Sequence, residues 1–400
     1  MYFTKKMNLM KRKVLIPLVA LLASNVSIKA DNWMSRLPDE TFVAVVSIPG
    51  AHDAATGCGW ADGNDGLGKA FAQTQDLDLG AQWATGVRAF DLRPCKHKDG
   101  YLNINHGIVP TSKRFDEALY QLRDSLAANP TEFAILHVLH ETDAYSGSQP
   151  EGNYNTMLLK ILKQDDLKDY FVNFKRGMKV ADVRGKIILL SRDSYTTGTP
   201  IGGIIEGWTH SVDWNRQTQG KIRGSSSIDA TLYMQDYFDT SDDGGIDTKV
   251  EAVTKLLESS MALDASKYSR WVINFASGYS KKMLGFPTSD GYRDNATYTH
   301  GAILDHLATH EAGPMGIVMM DYAGVDKSDK YDVRGLELVR AIIDNNFKYL
   351  DDGADKVEEV KSTEGAVSYY SVTGMPLDGP QEGLNIKQEA DGTVRKVLYR

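Results

Sequence analysis

The stretch Ser47-Ile-Pro-Gly-Ala-His52-Asp53 sets an imidazole and a carboxylate side by side, where the apolar run Phe42 to Val46 stops at a Pro-Gly turn. A strand that ends in a histidine delivers that histidine to a site. His106, in Asn105-His106-Gly107, closes a later strand-like run in the same way. Between them lies Gly86-Val-Arg-Ala-Phe-Asp91-Leu-Arg93, an apolar strand pattern with a carboxylate and a guanidinium on alternate positions. Two histidines and an arginine at strand ends suit phosphodiester chemistry. One imidazole takes a proton, the other gives one, and the guanidinium is a fixed cation for the phosphate.

Those residues must be positioned by elements, and the elements alternate. β-rich apolar runs fall at Phe42–Ile48, Val87–Leu92, Phe133–Leu139, Lys186–Ser191, Ala230–Met234, Trp271–Phe275 and Gly316–Met320. Helical patterns occupy Phe115–Ala127, Met157–Lys163, Lys249–Leu263, Thr299–His310 and Gly335–Asn345. Alternation of this kind predicts a parallel sheet closed into an α/β barrel. Only a short loop with Lys98-Asp99-Gly100 separates Leu92 from His106, so the expected fold is a distorted, incompletely regular (βα)8 TIM-like barrel. Chemistry in such barrels sits at the C-terminal strand ends, where both histidines are expected.

The chain has 400 residues, enough for one such barrel and an appendage. Lys5, Lys6, Lys11, Arg12 and Lys13 precede the apolar segment Val14 to Ala23, and Ile28-Lys29-Ala30 ends in a small residue. Residues 1–30 therefore read as a secretion signal, and the expected location is secreted, periplasmic or cell-surface. Removing them takes away six Lys/Arg and no Asp/Glu, so the formal charge falls from −8 to −14. So acidic a protein is a poor nucleic-acid binder, and it would hold a membrane by local aromatic insertion, with Trp60, Trp83, Trp208 and Trp214 as candidates, rather than by bulk charge. Residues 31–350 hold the barrel, 351–365 a charged linker, and 366–400 a small all-β appendage of three strands turning at Asp391-Gly392. Cys58 and Cys95 each follow a strand that ends at the expected site. They could join as one disulfide or remain two thiols.

Taken in order, Trp33-Met-Ser-Arg-Leu-Pro-Asp, Ser47-Ile-Pro-Gly-Ala-His-Asp, Gln73-Thr-Gln, Gly86-Val-Arg-Ala-Phe-Asp-Leu-Arg, Asn103-Ile-Asn-His-Gly and Met319-Met-Asp-Tyr resemble the bacterial phosphatidylinositol-specific phospholipase C family. Each motif alone is weak; six in order are specific. The resemblance implies a metal-independent lyase without a cofactor. Its inositol 2-hydroxyl attacks phosphorus, diacylglycerol leaves, and a cyclic inositol phosphate remains for water to open. By position His52 corresponds to the general base and Asp321 to its carboxylate partner. His106 corresponds to the general acid supported by Asp53, and Arg93 to the phosphate clamp with Asp91 close by. Arg192 and Asp236 resemble inositol-hydroxyl binders. In calcium-dependent relatives a carboxylate takes the place of Arg93. The implied partner is phosphatidylinositol or a related inositol lipid, met by a monomer in peripheral contact with a membrane. The tail from about Val367 resembles C-terminal β modules of exported Bacteroidetes proteins, which implies sorting or attachment.

These assignments fit elementary chemistry. A neutral imidazole takes a hydroxyl proton near neutral pH, and a carboxylate on its other nitrogen fixes the tautomer. The leaving alkoxide needs a donor on the far side of an in-line displacement, so the second imidazole starts protonated, a form that a neighbouring carboxylate favours. The chain departs from the pattern twice: no lysine stands near Leu139, and Phe238 stands where a tyrosine is usual. Both departures bear on headgroup selection.

Blander readings exist for each residue. His52-Asp53 could be a capping pair, Asp321 a helix cap, and Arg93 a surface ion-pair residue. His306 and His310 lie one turn apart with Glu311 adjacent, but no third ligand is evident, which favours solvated rings over a metal. His137 and His140 point to opposite faces of a strand. Ser241–Asp247 lacks the twelve-position calcium pattern. Two other functions compete. A glycerophosphodiester phosphodiesterase would use an early His-Arg pair and a carboxylate-held metal. A non-catalytic inositol-binding barrel would need no acid–base pair.

Overall fold

The computed structural model describes residues 30–61, 63–143, 152–210, 218–241, 245–265, 268–350, 368–371, 376–377, 379–388 and 394–399. Nine strands close a barrel in chain order: β1 (Ile48–Ala51), β2 (Ala89–Leu92), β3 (Ala134–Val138), β4 (Ile187–Ser191), β5 (Gly203–Glu206), β6 (Thr218–Arg223), β7 (Ala230–Gln235), β8 (Arg270–Phe275) and β9 (Ile317–Met320). Closure comes from β1, which pairs in parallel with both β2 and β9. Only β6 runs against its neighbours.

The expected TIM-like barrel is therefore present, but not as eight β-α repeats. The β5–β6–β7 segment is a meander of adjacent antiparallel strands. Its polar run Thr218–Arg223 and its glycine-containing run Gly203–Glu206 lack the apolar signature that marks the other strands. The buried apolar positions of the outer helices repeat at helical spacing. Phe115, Ala118, Leu119, Leu122 and Leu126 line one face of Phe115–Ala128 against the sheet.

Two expectations near the site need correction. Phe42–Ile48 is not a strand: Val43–Val45 forms a 3-10 turn, and the strand begins at Ile48. Pro49-Gly50 is thus inside β1, not a turn beyond it. Gly50 is required there because a Cβ would lie 2.6 Å from Met319 Sδ and 3.1 Å from Ala89 Cβ, so the neighbouring strands close over it. His106 does not end a barrel strand. After β2 the chain leaves the ring and folds an antiparallel three-stranded sheet, Pro94–Lys96, Leu102–His106 and Val109–Arg114, which carries His106 back over the mouth.

Elsewhere, Cys58 and Cys95 are both free thiols. The C-terminal region has four short antiparallel strands rather than three: Ser368–Ser371, Pro376–Leu377, Gly383–Gln388 and Val394–Tyr399. The signal segment up to Lys29, the linker 351–365, the Asp391-Gly392 turn and Trp214 lie outside the described residues. No helix among the described residues is long and apolar enough to cross a membrane.

Candidate active site

His52 is the first residue past β1, and its backbone N–H still donates to Met320 O on β9. The ends of β1 and β9 are tied by a buried glutamine. Gln75 Nε2 donates to His52 O and Met320 O, each at 2.8 Å, and its Oε1 accepts from Ala323 N at 2.9 Å. The Gln73-Thr-Gln motif thereby acquires a structural purpose. Two residues at these strand ends hold left-handed backbone without being glycine, Asp53 (φ 42°) and Tyr322 (φ 49°). Such conformations cost about 1–3 kcal/mol each and persist where surrounding bonds over-determine them.

At this mouth His52 Nδ1 lies 2.7 Å from Asp321 Oδ1, and Asp321 Oδ2 accepts from Gly278 N at 3.2 Å. The other ring nitrogen, Nε2, accepts from Arg93 Nη2 at 2.9 Å and stands 3.2 Å from Asp53 Oδ2. A guanidinium only donates, so in the neutral ring this contact puts the lone pair on Nε2 and the proton on Nδ1, facing Asp321. His106 approaches the same carboxylate from the other side, with Nε2 at 3.4 Å from Asp53 Oδ2 and Nδ1 donating to Ala72 O at 2.7 Å. The two imidazole centroids are 6.3 Å apart and their planes nearly perpendicular. Tyr292 Oη, 3.4 Å from His106 Nε2, completes that side.

Arg93 sits among anions: Asp53 Oδ1 at 2.9 Å from Nε, Asp91 Oδ2 at 3.1 Å from Nη2, and Glu141 Oε2 at 3.7 Å from Nη1. His52, Asp53 and Asp91 offer three ligand atoms close enough to hold a metal ion. The guanidinium contacts all three, however, so it already fills the place of the cation, and the donor set does not fit a metal beside it.

Electrostatics follow from this crowding. Burial disfavours a charged His52 ring, yet Asp53 and Asp321 outweigh it and lift its pKa to about 9, with Arg93 pulling down. Burial opposes the Asp91 charge too, but Arg93 and His137 hold the carboxyl well below its usual range. Burial raises Asp321, with His52 working against the rise.

Arg192 and Asp236 form a second group. Burial works against the Asp236 charge, but His210, Arg192 and Trp208 hold its carboxyl below the usual range. Asp236 Oδ2 takes Trp208 Nε1 and His210 Nδ1, each at 2.9 Å, while Arg192 Nη1 is 3.7 Å away and its guanidinium lies over the Trp208 ring.

The sequence reading missed several members. His137 Nδ1 bonds Asp91 Oδ1 at 2.8 Å, and the ring packs against Trp208 and Phe275. Glu141 is another. Lys249, fully buried beneath the site, donates to Tyr237 O and Phe275 O, and burial pushes its pKa down to about 7. Alternation hides His137, since it reads as one inward residue of an apolar strand. Only its partner on β2 reveals it.

Around the mouth, the hairpin Lys282–Pro287 after β8 exposes Met283, Leu284 and Phe286, with Leu284 90 % exposed and left-handed (φ 53°) at the tip. Ile108, two residues past His106, is 70 % exposed. Trp60 and Trp83 are buried.

No family model matches the chain. It is 27 % identical over 345 residues to a 1-phosphatidylinositol phosphodiesterase of Staphylococcus aureus (strain Newman), covering 81 % of this chain and 96 % of that relative. To a 1-phosphatidylinositol phosphodiesterase of Listeria monocytogenes it is 35 % identical over 174 residues, 42 % of this chain and 50 % of the relative. Solved phosphatidylinositol-specific phospholipases C share the fold. The S. aureus enzyme superposes with a TM-score of 0.61 at 24 % identity, covering 79 % of this chain and 97 % of its own. The L. monocytogenes enzyme gives 0.57 at 22 %, covering 80 % and 99 %. With the six motifs in order and the barrel they imply, the chain is similar over most of its length to bacterial phosphatidylinositol-specific phospholipases C and shares their fold.

Proposed function

We propose that the chain cleaves phosphatidylinositol, or an inositol lipid built on it, to diacylglycerol and a cyclic inositol phosphate. The observation that carries this reading is the convergence of His52 and His106 on one carboxylate, with Arg93 beside them. An anionic phosphodiester drawn to Arg93 takes the guanidinium onto its non-bridging oxygens and frees His52 Nε2. That nitrogen removes the proton of the 2-hydroxyl, whose oxygen bonds to phosphorus. The bond from phosphorus to the glycerol oxygen breaks, and His106 Nε2 gives its proton to the departing alkoxide. Asp321 holds the tautomer of His52 throughout. The guanidinium supplies the positive charge, so no metal enters the reaction. On this reading Arg192 and Asp236 bind inositol hydroxyls, supported by their shared cluster with Trp208 and His210. Leu139 and Phe238 offer the headgroup neither ammonium nor phenol, so selection there rests on the Arg192–Asp236–Trp208 group.

Met283, Leu284, Phe286 and Ile108 are the apolar contact with the lipid surface, reached peripherally by a monomer. The exported location and the attachment role of residues 366–400 belong to the same reading, supported by the basic-then-apolar N-terminal pattern.

The test is phosphorus NMR of products from defined phosphatidylinositol vesicles with a metal chelator present. A cyclic phosphodiester resonance is expected. His52→Ala and His106→Ala should each lower its formation by about 10²–10⁴-fold with circular dichroism unchanged. Activity lost on chelation, or retained in either variant, would overturn the reading.

A further inference from the structure

Far from the mouth, a second set of metal-ligating side chains gathers where two outer helices end. Glu258 lies in the last turn of Gly245–Met261, His306 in the last turn of Ser289–Thr309, and His310 caps the latter helix. Their ligand atoms all lie within 4.8 Å of one another. From sequence the histidine pair lacks a third donor; folding supplies it from a helix about fifty positions earlier in the chain.

Two further features point to a cation. His310 Nδ1 is engaged by His306 O at 3.1 Å and Thr309 Oγ1 at 3.0 Å, which turns Nε2 outward as the donor. A bond on the distal nitrogen is what orients metal-bound imidazoles. Finally, helix C-termini carry partial negative charge, and neither helix has a lysine or arginine in its last turn to offset it.

We propose that Glu258, His306 and His310 bind one divalent transition-metal ion of the zinc class, clipping the two helices together at the face of the barrel remote from the reaction. Two imidazoles and a carboxylate are a borderline-soft donor set that suits zinc better than magnesium or calcium, and a water completes the tetrahedron. Tetrahedral bonds of about 2.0–2.1 Å bring the ligand atoms to about 3.4 Å. Exposed Glu258 closes that gap by side-chain rotation and exposed His310 tilts out of its stack with His306 about its Nδ1 contacts, while His306, 6 % exposed, stays anchored. Both helices lead into the N-terminal ends of β8 and β9, the face on which barrels concentrate stability rather than chemistry. The ion takes no part in turnover.

The full chain, stripped with chelator, is titrated with zinc chloride by calorimetry and with cobalt chloride by visible absorption. One ion per chain is expected, with the d–d bands of tetrahedral cobalt and a thermal midpoint raised by about 3 °C or more at saturation. His310→Ala and Glu258→Gln, both at exposed positions, should each weaken zinc binding about tenfold or more and abolish the thermal shift. Absence of saturable binding at 100 µM zinc would overturn the proposal. So would wild-type affinity in His310→Ala, or binding lost in Asp53→Asn but kept in His310→Ala, which would place the ion at the mouth.

Discussion

His137 Nδ1 donates to Asp91 Oδ1 at 2.8 Å across the neighbouring strands β3 and β2, so Asp91 is gripped on both oxygens. Its Oδ2 accepts from Arg93 Nη2 at 3.1 Å and from the Asp53 N–H at 3.3 Å. His137 is therefore a positioning residue that acts on Arg93 through Asp91. His137→Leu should lower kcat about 10–100-fold with little change in KM, and His137→Asn, which keeps a donor at that distance, should recover most of the loss. Equal kcat in the two variants would reduce His137 to packing.

The pH dependence follows from His52. Its folded pKa of about 9 lies above the free value of 6.5, so its stabilising contribution is complete below 6.5 and is lost as pH rises through about 9. As the proposed general base His52 must be neutral, so kcat/KM should rise toward alkaline pH along a limb that reports the free enzyme. Asp321→Asn removes a carboxylate that favours the cation. The limb should move to lower pH while kcat falls about 10²–10⁴-fold. A limb that stays in place would assign it to another group.

Arg93→Asp tests whether the guanidinium stands where a cation must be. It removes the clamp and leaves an acidic cluster of Asp53, Asp91 and Glu141 around the new carboxylate. Turnover in chelator should fall about 10³-fold or more, and added calcium should restore part of it. Calcium should do nothing for the wild type. Full activity of the variant in chelator would remove Arg93 from the mechanism.

The apolar hairpin should govern lipid contact separately from chemistry. Leu284→Asp together with Phe286→Asp should weaken binding to phosphatidylinositol vesicles tenfold or more, since each buried side chain contributes about 1.5–3 kcal/mol. Hydrolysis of soluble cyclic inositol phosphate should stay within about twofold, because neither residue reaches the imidazoles. Parallel losses in both assays would place the hairpin in the active site instead.

Much of this was legible in the residues alone. Strand runs such as Phe133–Leu139 and Trp271–Phe275 announced the barrel because continuous burial on both faces leaves a continuous apolar signature. His52, Arg93, His106 and Asp321 stood out because polar groups at the ends of apolar strands have no packing purpose. The meander of β5 and β6 was hidden, since short strands with glycine and alternating polar residues resemble loops. His137, Gln75, Lys249 and Glu258 stayed hidden for another reason: each is defined by a partner distant in the chain.

The chain by itself determined which chemical groups arrive and at which strand ends, because hydrophobic periodicity and local turn preferences are encoded within a few residues. Only the tertiary structure decided which groups meet. It brought His106 over the mouth on an excursion sheet outside the barrel, set Asp53 between two imidazoles, and placed Glu258 beside His306. Such contacts form when ring closure brings sequence-distant strands and helices within a few ångströms, and no local pattern carries that distance.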